Sequence, residues 1–106
     1  MSRLEQMLGF LESDPHDPFT RYAVALELNS VGRPEEALDH LEKLRAEAPG
    51  YLPTYYQLGA LLRAADRAAD AQAAYEQGCA VARSAGDTHT LAELQAALDE
   101  LDAPDW

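Results

Sequence analysis

A fixed 34-residue spacing constrains this chain more than any other feature. The pairs Arg33 and Arg67, Ala37 and Ala71, Leu41 and Tyr75, Val24 and Leu58, Ala25 and Gly59, and Leu28 and Leu62 each stand 34 residues apart. Pro15 and Pro49, and Met7 and Leu41, extend the same spacing toward the N-terminus. A period of this length is the mark of a stacked helix pair, because one such pair cannot bury its apolar faces alone and its neighbour must cover them.

The punctuation within each period supports helices. Leu4, Met7, Leu8 and Leu11 recur at steps of three and four, which predicts an amphipathic helix over 3–13. Asp17 is a good N-cap and Pro18 suits the first helical position. The next helix carries Tyr22 with Leu26 and Val24 with Leu28 on two neighbouring strips, and Gly32 stops it. Pro34 opens a third helix, where Glu35 and Glu36 favour the positive end of the helix dipole, Leu38, Leu41 and Leu44 form the stripe, and Pro49-Gly50 closes the run. Pro53 opens a fourth helix with Tyr55, Leu58 and Leu62, and the chain turns near Asp66 and Arg67. A fifth helix is expected over 68–85, ended by Gly86, and Asp87 caps a sixth with Leu91, Leu94, Leu98 and Leu101. Valine is confined to Val24, Val31 and Val81 and isoleucine is absent, a bias toward helix over sheet. The expected fold is all-α, with about six helices and short links that join antiparallel neighbours.

The residue types at the repeated positions have a packing logic. Two helices cross closely only where a side chain is small, and Ala25, Gly59, Ala37 and Ala71 provide such sites. The second unit, with Tyr55, Leu58-Gly59, Leu62, Ala71 and Tyr75, resembles the tetratricopeptide repeat family, whose units read aromatic, Leu-Gly, Tyr, then Ala, Phe and Pro. The first unit reads Arg21, Val24-Ala25, Leu28, Ala37, Leu41 and Pro49, and departs at the opening aromatic and at the Gly. In the second unit Arg83 stands where Pro is expected, which lets the fifth helix run on. The following unit is therefore displaced by two residues: Tyr55 to Leu91, Leu58 to Leu94 and Leu62 to Leu98 each span 36. The resemblance covers nearly the whole chain as one domain. It comprises a half unit at 3–15, repeats at 18–51 and 52–85, a capping helix at 87–101 with Gln95 at the small-residue position, and a tail at 102–106 containing Trp106. It implies a right-handed superhelical stack of antiparallel helix hairpins.

Composition narrows the function. Nineteen acids against eight bases give a net charge of −11. So acidic a surface repels phosphate backbones and anionic membranes, so neither nucleic acid nor membrane is an expected partner. The interrupted N-terminal stretch and the lack of a long apolar run lead us to expect a cytoplasmic protein. Cys79, among small residues, reads as a buried structural thiol. His16, His40 and His89 have no partner at metal-ligand spacing, and His40, beside Asp39, reads as a solvated surface residue. The "DTHT" run at 87–90 reads as helix capping, and no nucleophile elbow or phosphate loop occurs. Neither an enzyme, a metal nor a cofactor is expected.

The family resemblance implies instead a concave groove lined by the first helix of each pair. Its positions would be Phe19, Tyr22, Leu26 and Asn29 in the first unit and Pro53, Tyr56, Ala60 and Arg63 in the second. The last helix would add His89, Ala92, Ala96 and Asp99, or would fold over and fill the surface. One family subtype clamps a C-terminal carboxylate with Lys and Asn, but here Tyr22, Leu26, Gln57 and Arg63 stand at the corresponding sites. The residues present suit an apolar or aromatic segment. The expected function is an adaptor that binds a peptide or helix of another protein. The alternatives are a weak homo-oligomer formed through the groove or repeat edge, and a small protein of the secretion-chaperone kind.

Overall fold

A computed structural model describes residues 2–102 and contains six helices. They are α1 (Arg3–Ser13), α2 (Pro18–Ser30), α3 (Pro34–Glu47), α4 (Pro53–Ala64), α5 (Ala68–Ala85) and α6 (Thr88–Asp102), with no strand among the described residues. The expected tail at 102–106 lies outside the described residues except for Asp102, which is helical. The chain divides into two compact units, Met1–Thr54 and Tyr55–Trp106.

The helix starts follow local chemistry. The Asp17 side chain accepts a hydrogen bond from the Thr20 N–H at 3.3 Å, and Pro18 occupies the first turn. Asp87 accepts from the Thr90 N–H at 3.0 Å and from its hydroxyl at 2.8 Å, and these bonds hold its carboxyl below the usual range. Ser2 caps α1 through the Glu5 N–H at 3.1 Å. The "DTHT" run is therefore a cap, as its composition suggests.

Three helix ends share one geometry. The N–H of Arg33 reaches the Leu28 carbonyl, that of Arg67 reaches Leu62 and that of Asp87 reaches Ala82, each at 2.9 Å. In each case the residue just before the donor is left-handed: Gly32 at φ 81°, Asp66 at φ 62° and Gly86 at φ 70°. This is the 6→1 closure that satisfies orphan carbonyls at a helix end. Glycine suits that backbone; Asp66 adopts it against a steric cost. Asp66→Gly is therefore expected to stabilise the protein by about 0.5 kcal/mol, partly offset by the looser unfolded chain. A thermal melt that moves downward would show that Asp66 makes a compensating contact. By contrast α3 stops at Glu47 because Pro49 cannot continue it, while α5 passes Arg83 and runs to Ala85.

In the first unit α2 packs along α3 and α1 packs on α2. Val24, Ala25 and Leu28 of α2 are buried with Ala37, Leu41 and Leu44 of α3, and Leu4 and Leu11 of α1 join them. In the second unit α5 packs on α6, and Leu58, Leu62, Ala71, Ala74, Tyr75 and Leu94 are among its buried residues. Gly59 lies so close to Tyr75 that a Cβ there would enter the ring. Gly78 approaches both Tyr55 and Leu94 in the same way. Gly59, a small residue at a repeated position, is thus a point of close helix approach, and Ala25, Ala37 and Ala71 at the other repeated positions are buried. Cys79 is buried, and burial raises its thiol pKa, as expected of a structural rather than reactive cysteine.

Candidate interaction surface

The α2 positions Phe19, Tyr22, Leu26 and Asn29 follow one another at helical steps, so they form a single stripe. The buried residues Val24, Ala25 and Leu28 anchor the other side of the helix and fix where the stripe points. Phe19 is 68% exposed and Leu26 38% exposed, and Asn29 is exposed. Tyr22 is half-buried: its ring meets that of Tyr51 edge-on, with centroids 5.9 Å apart and an interplanar angle of 64°. Burial and the nearby Tyr22 raise the Tyr51 phenol pKa. Pro53 is exposed at the start of α4.

In the second unit Tyr56, Ala60 and Arg63 share a stripe on α4. Tyr56 remains 42% exposed, so α6, in the same unit, does not bury it. Its ring lies tilted against Tyr75, with centroids 6.1 Å apart. Tyr75 is buried, and that burial, with Tyr56 beside it, raises its phenol pKa. Arg63 approaches Glu100 of α6 at 3.4 Å, with both side chains largely in solvent. His89 is exposed at the first turn of α6 and pairs with Glu93 at 2.6 Å. Eleven residues separate it from Glu100, about 16 Å along a helix, so His89 and the Arg63 contact mark different ends of α6. Ala92, Ala96 and Asp99 are exposed.

The first unit also contains a polar cluster that the sequence reading does not anticipate. Arg21 is only 6% exposed. Its Nη1 donates to His40 Nδ1 at 2.9 Å and its Nη2 donates to the Pro15 carbonyl at 3.0 Å. Neither partner carries a negative charge. His40 is half-buried rather than solvated, which corrects the surface reading given to it above. Burial lowers its pKa, and the Arg21 guanidinium lowers it further, while Asp39 and Glu36 pull the other way and Lys43 acts with Arg21. A neutral His40 with a bare Nδ1 is the form that accepts from Arg21. The same region borders a cleft of about 310 Å³ whose lining includes Arg21, Leu44 and Glu47. The signal was present in the repeat: Arg21 and His40 stand 34 residues before Tyr55 and Ala74, which are both buried.

No group of His, Cys, Asp or Glu among the described residues has the geometry of a metal site. No described helix is long and apolar enough to cross a membrane.

Comparison with known proteins adds to this geometry. A tetratricopeptide repeat domain protein from Salinibacter ruber, in its solution structure, is 42% identical to this chain, covers 87% of it and 93% of its own length, and superposes with a TM-score of 0.82. The chain belongs to the tetratricopeptide repeat family. A crystal structure of a tetratricopeptide repeat domain protein from the same organism, also 42% identical, covers 82% of this chain and 98% of its own, with a TM-score of 0.79. A protein from Bordetella parapertussis is 27% identical over 95% of this chain and 88% of its own, with a TM-score of 0.81. No family model and no curated protein matches the sequence. In this tetratricopeptide repeat protein the replacement of the opening aromatic by Arg21 is therefore a local variation within an intact repeat.

Proposed function

We propose that this tetratricopeptide repeat protein is an interaction module that holds a peptide or helical segment of another protein. The observation that carries this reading is the exposure of large apolar side chains on rigid helices: Phe19 and Leu26 on α2 and Tyr56 on α4. Each is held by a helix whose opposite face is locked in its unit's core, so little entropy is lost when the side chain meets a ligand. Each stripe offers its own anchor, apolar neighbour and polar contact: Phe19, Leu26 and Asn29 on α2, and Tyr56, Ala60 and Arg63 on α4. Pro53 and His89, exposed in the first turns of α4 and α6, complete the proposed set. Tyr22 contributes less than its type suggests, because Tyr51 already covers part of its ring. No catalytic role is assigned to any of these residues, and a cytoplasmic setting would suit a chain of this charge.

The test is a quantitative pull-down comparing the wild-type chain with a Phe19→Ser, Tyr56→Ser variant, with captured proteins counted by mass spectrometry. Each anchor is worth about 2 kcal/mol in a well-packed interface, so their joint loss is expected to remove the specific partners from the captured set. The circular dichroism should be unchanged, since both side chains are exposed. Undiminished capture by the double variant would exclude these stripes as the binding surface. Light scattering over a wide concentration range tests the homo-oligomer separately; a charge of −11 on every copy opposes it.

A further inference from the structure

The repeat register exposes a second surface, on α1. Met7 and Phe10 stand 34 residues before Leu41 and Leu44 of α3. Leu41 and Leu44 are buried in the hairpin that α2 makes with α3. One repeat further on, Tyr75 and Gly78 are buried too. On α1 the same positions are open: Met7 is half-buried and Phe10 is 67% exposed. The other face of α1 is already used, since Leu4 and Leu11 are buried where α1 packs on α2. A helix that plays toward α1 the part α2 plays toward α3 would cover Met7 and Phe10 together.

We propose that this face of α1 binds a basic amphipathic helix of a partner protein, one with a small residue opposite Met7. The small residue follows from the closest crossing in the second unit. There Gly59 faces Tyr75, and Ala25 and Leu41 hold the equivalent positions in the first unit. Met7 is the next member of that series, so its partner helix needs Gly or Ala at the crossing. Among the described residues α6 has the first-helix pattern of the displaced unit, but Gln95 occupies the small-residue position and Asp99 and Asp102 lie nearby on the helix. A second copy presenting α6 would therefore place a long polar side chain at the closest crossing. A second copy presenting any other face still brings a charge of −11 against −11. Charge complementarity instead favours a helix with Lys or Arg on its flanks. Around the face itself Arg3 is engaged with Glu27 at 3.5 Å, and Asp14 follows the C-terminal end of α1, where a basic flank would meet it.

The probe is a synthetic peptide of residues 17–30, which carries the α2 pattern with Ala25, extended by lysines at both ends and labelled for fluorescence anisotropy. Saturable binding to the full chain is expected. Phe10→Glu should weaken it by about tenfold or more, since a charge replaces the central apolar contact of the face. Phe10 is exposed, so the variant keeps its fold, which circular dichroism verifies. Phe19→Ser should leave the affinity unchanged, which separates this surface from the α2 stripe. Changing Ala25 to Leu in the peptide should also weaken binding, and so should added salt. Absence of binding, or equal binding to the Phe10→Glu chain, would overturn the proposal. Self-association of the wild-type chain that outcompetes the peptide and is lost in Phe10→Glu would overturn it in favour of a second copy.

Discussion

Replacing Gly78 by alanine is expected to lower the melting temperature by about 10 °C, although alanine is the better helix former by about 1 kcal/mol. A Cβ at Gly78 would lie 2.6 Å from the Tyr55 Cβ and 3.0 Å from Leu94 Cδ1. The Leu94 methyl can give way by rotation. The Tyr55 Cβ cannot, because it is bonded to the α4 backbone, so α4 and α5 must separate. Tyr55 and Leu94 are fully buried, and the loosening spreads through the core of the second unit. Overpacking of this kind costs about 1–3 kcal/mol or more and should exceed the propensity gain by about 2 kcal/mol. Gly59→Leu should act in the same direction, because it would displace the buried Tyr75 ring. Gly9→Ala is the control. Gly9 is also inside a helix but has no atom within 4 Å of its would-be Cβ, so the same substitution should stabilise by about 0.5–1 kcal/mol. Opposite signs at positions 9 and 78 are the expected result in a calorimetric comparison. A neutral Gly78→Ala would show that the two helices are not held at the distance observed.

The same local rules explain how far the sequence could be read. Caps and stops lie close together in the chain, so Asp17, Pro18, Pro34, Gly86 and Asp87 located the helix ends directly. The 34-residue period then identified the small residues at the crossings, because a close approach excludes side chains wherever it occurs. The α2 stripe was visible from its spacing, but the ring contact between Tyr22 and Tyr51 was not. That contact depends on the path of the chain between α3 and α4, which periodicity does not specify. Phe10 was overlooked for a different reason. It lies off the Leu4, Leu8, Leu11 line, and its meaning appears only beside Leu44, one repeat later. His40, judged by residue type beside Asp39, reads as a surface residue, and Arg21 stands at the opening-aromatic position of the repeat as a departure from the pattern, with no burial drawn from that place. A cation and a histidine next to an acid usually face water, but here they occupy repeat positions whose counterparts, Tyr55 and Ala74, are core.

That exchange of an apolar pair for a polar one leads to the second large effect. Arg21→Ala is expected to destabilise the protein by about 2–3 kcal/mol, because it removes two hydrogen bonds and the packed stem of a buried side chain. It leaves His40 Nδ1 and the Pro15 carbonyl without their shared donor. The pair also gives stability a particular pH dependence. Burial and then the adjacent guanidinium hold the folded-state pKa of His40 below its ordinary value. Between that lowered value and about pH 6.5, the unfolded chain binds the His40 proton more readily than the folded one. Stability is therefore fully present above about pH 6.5 and declines as the pH falls through the folded value, with a slope of at most about 1.4 kcal/mol per pH unit for one proton. Protonation would also place a second cation on Nδ1, 2.9 Å from Arg21 Nη1, and abolish the acceptor. His40→Gln retains an acceptor that does not titrate, so its unfolding free energy should stay level from pH 7.5 to 5.5 while that of the wild type falls. Urea titrations across that range measure both. Equal slopes in the two proteins would mean that His40 is not the neutral acceptor holding Arg21 in place.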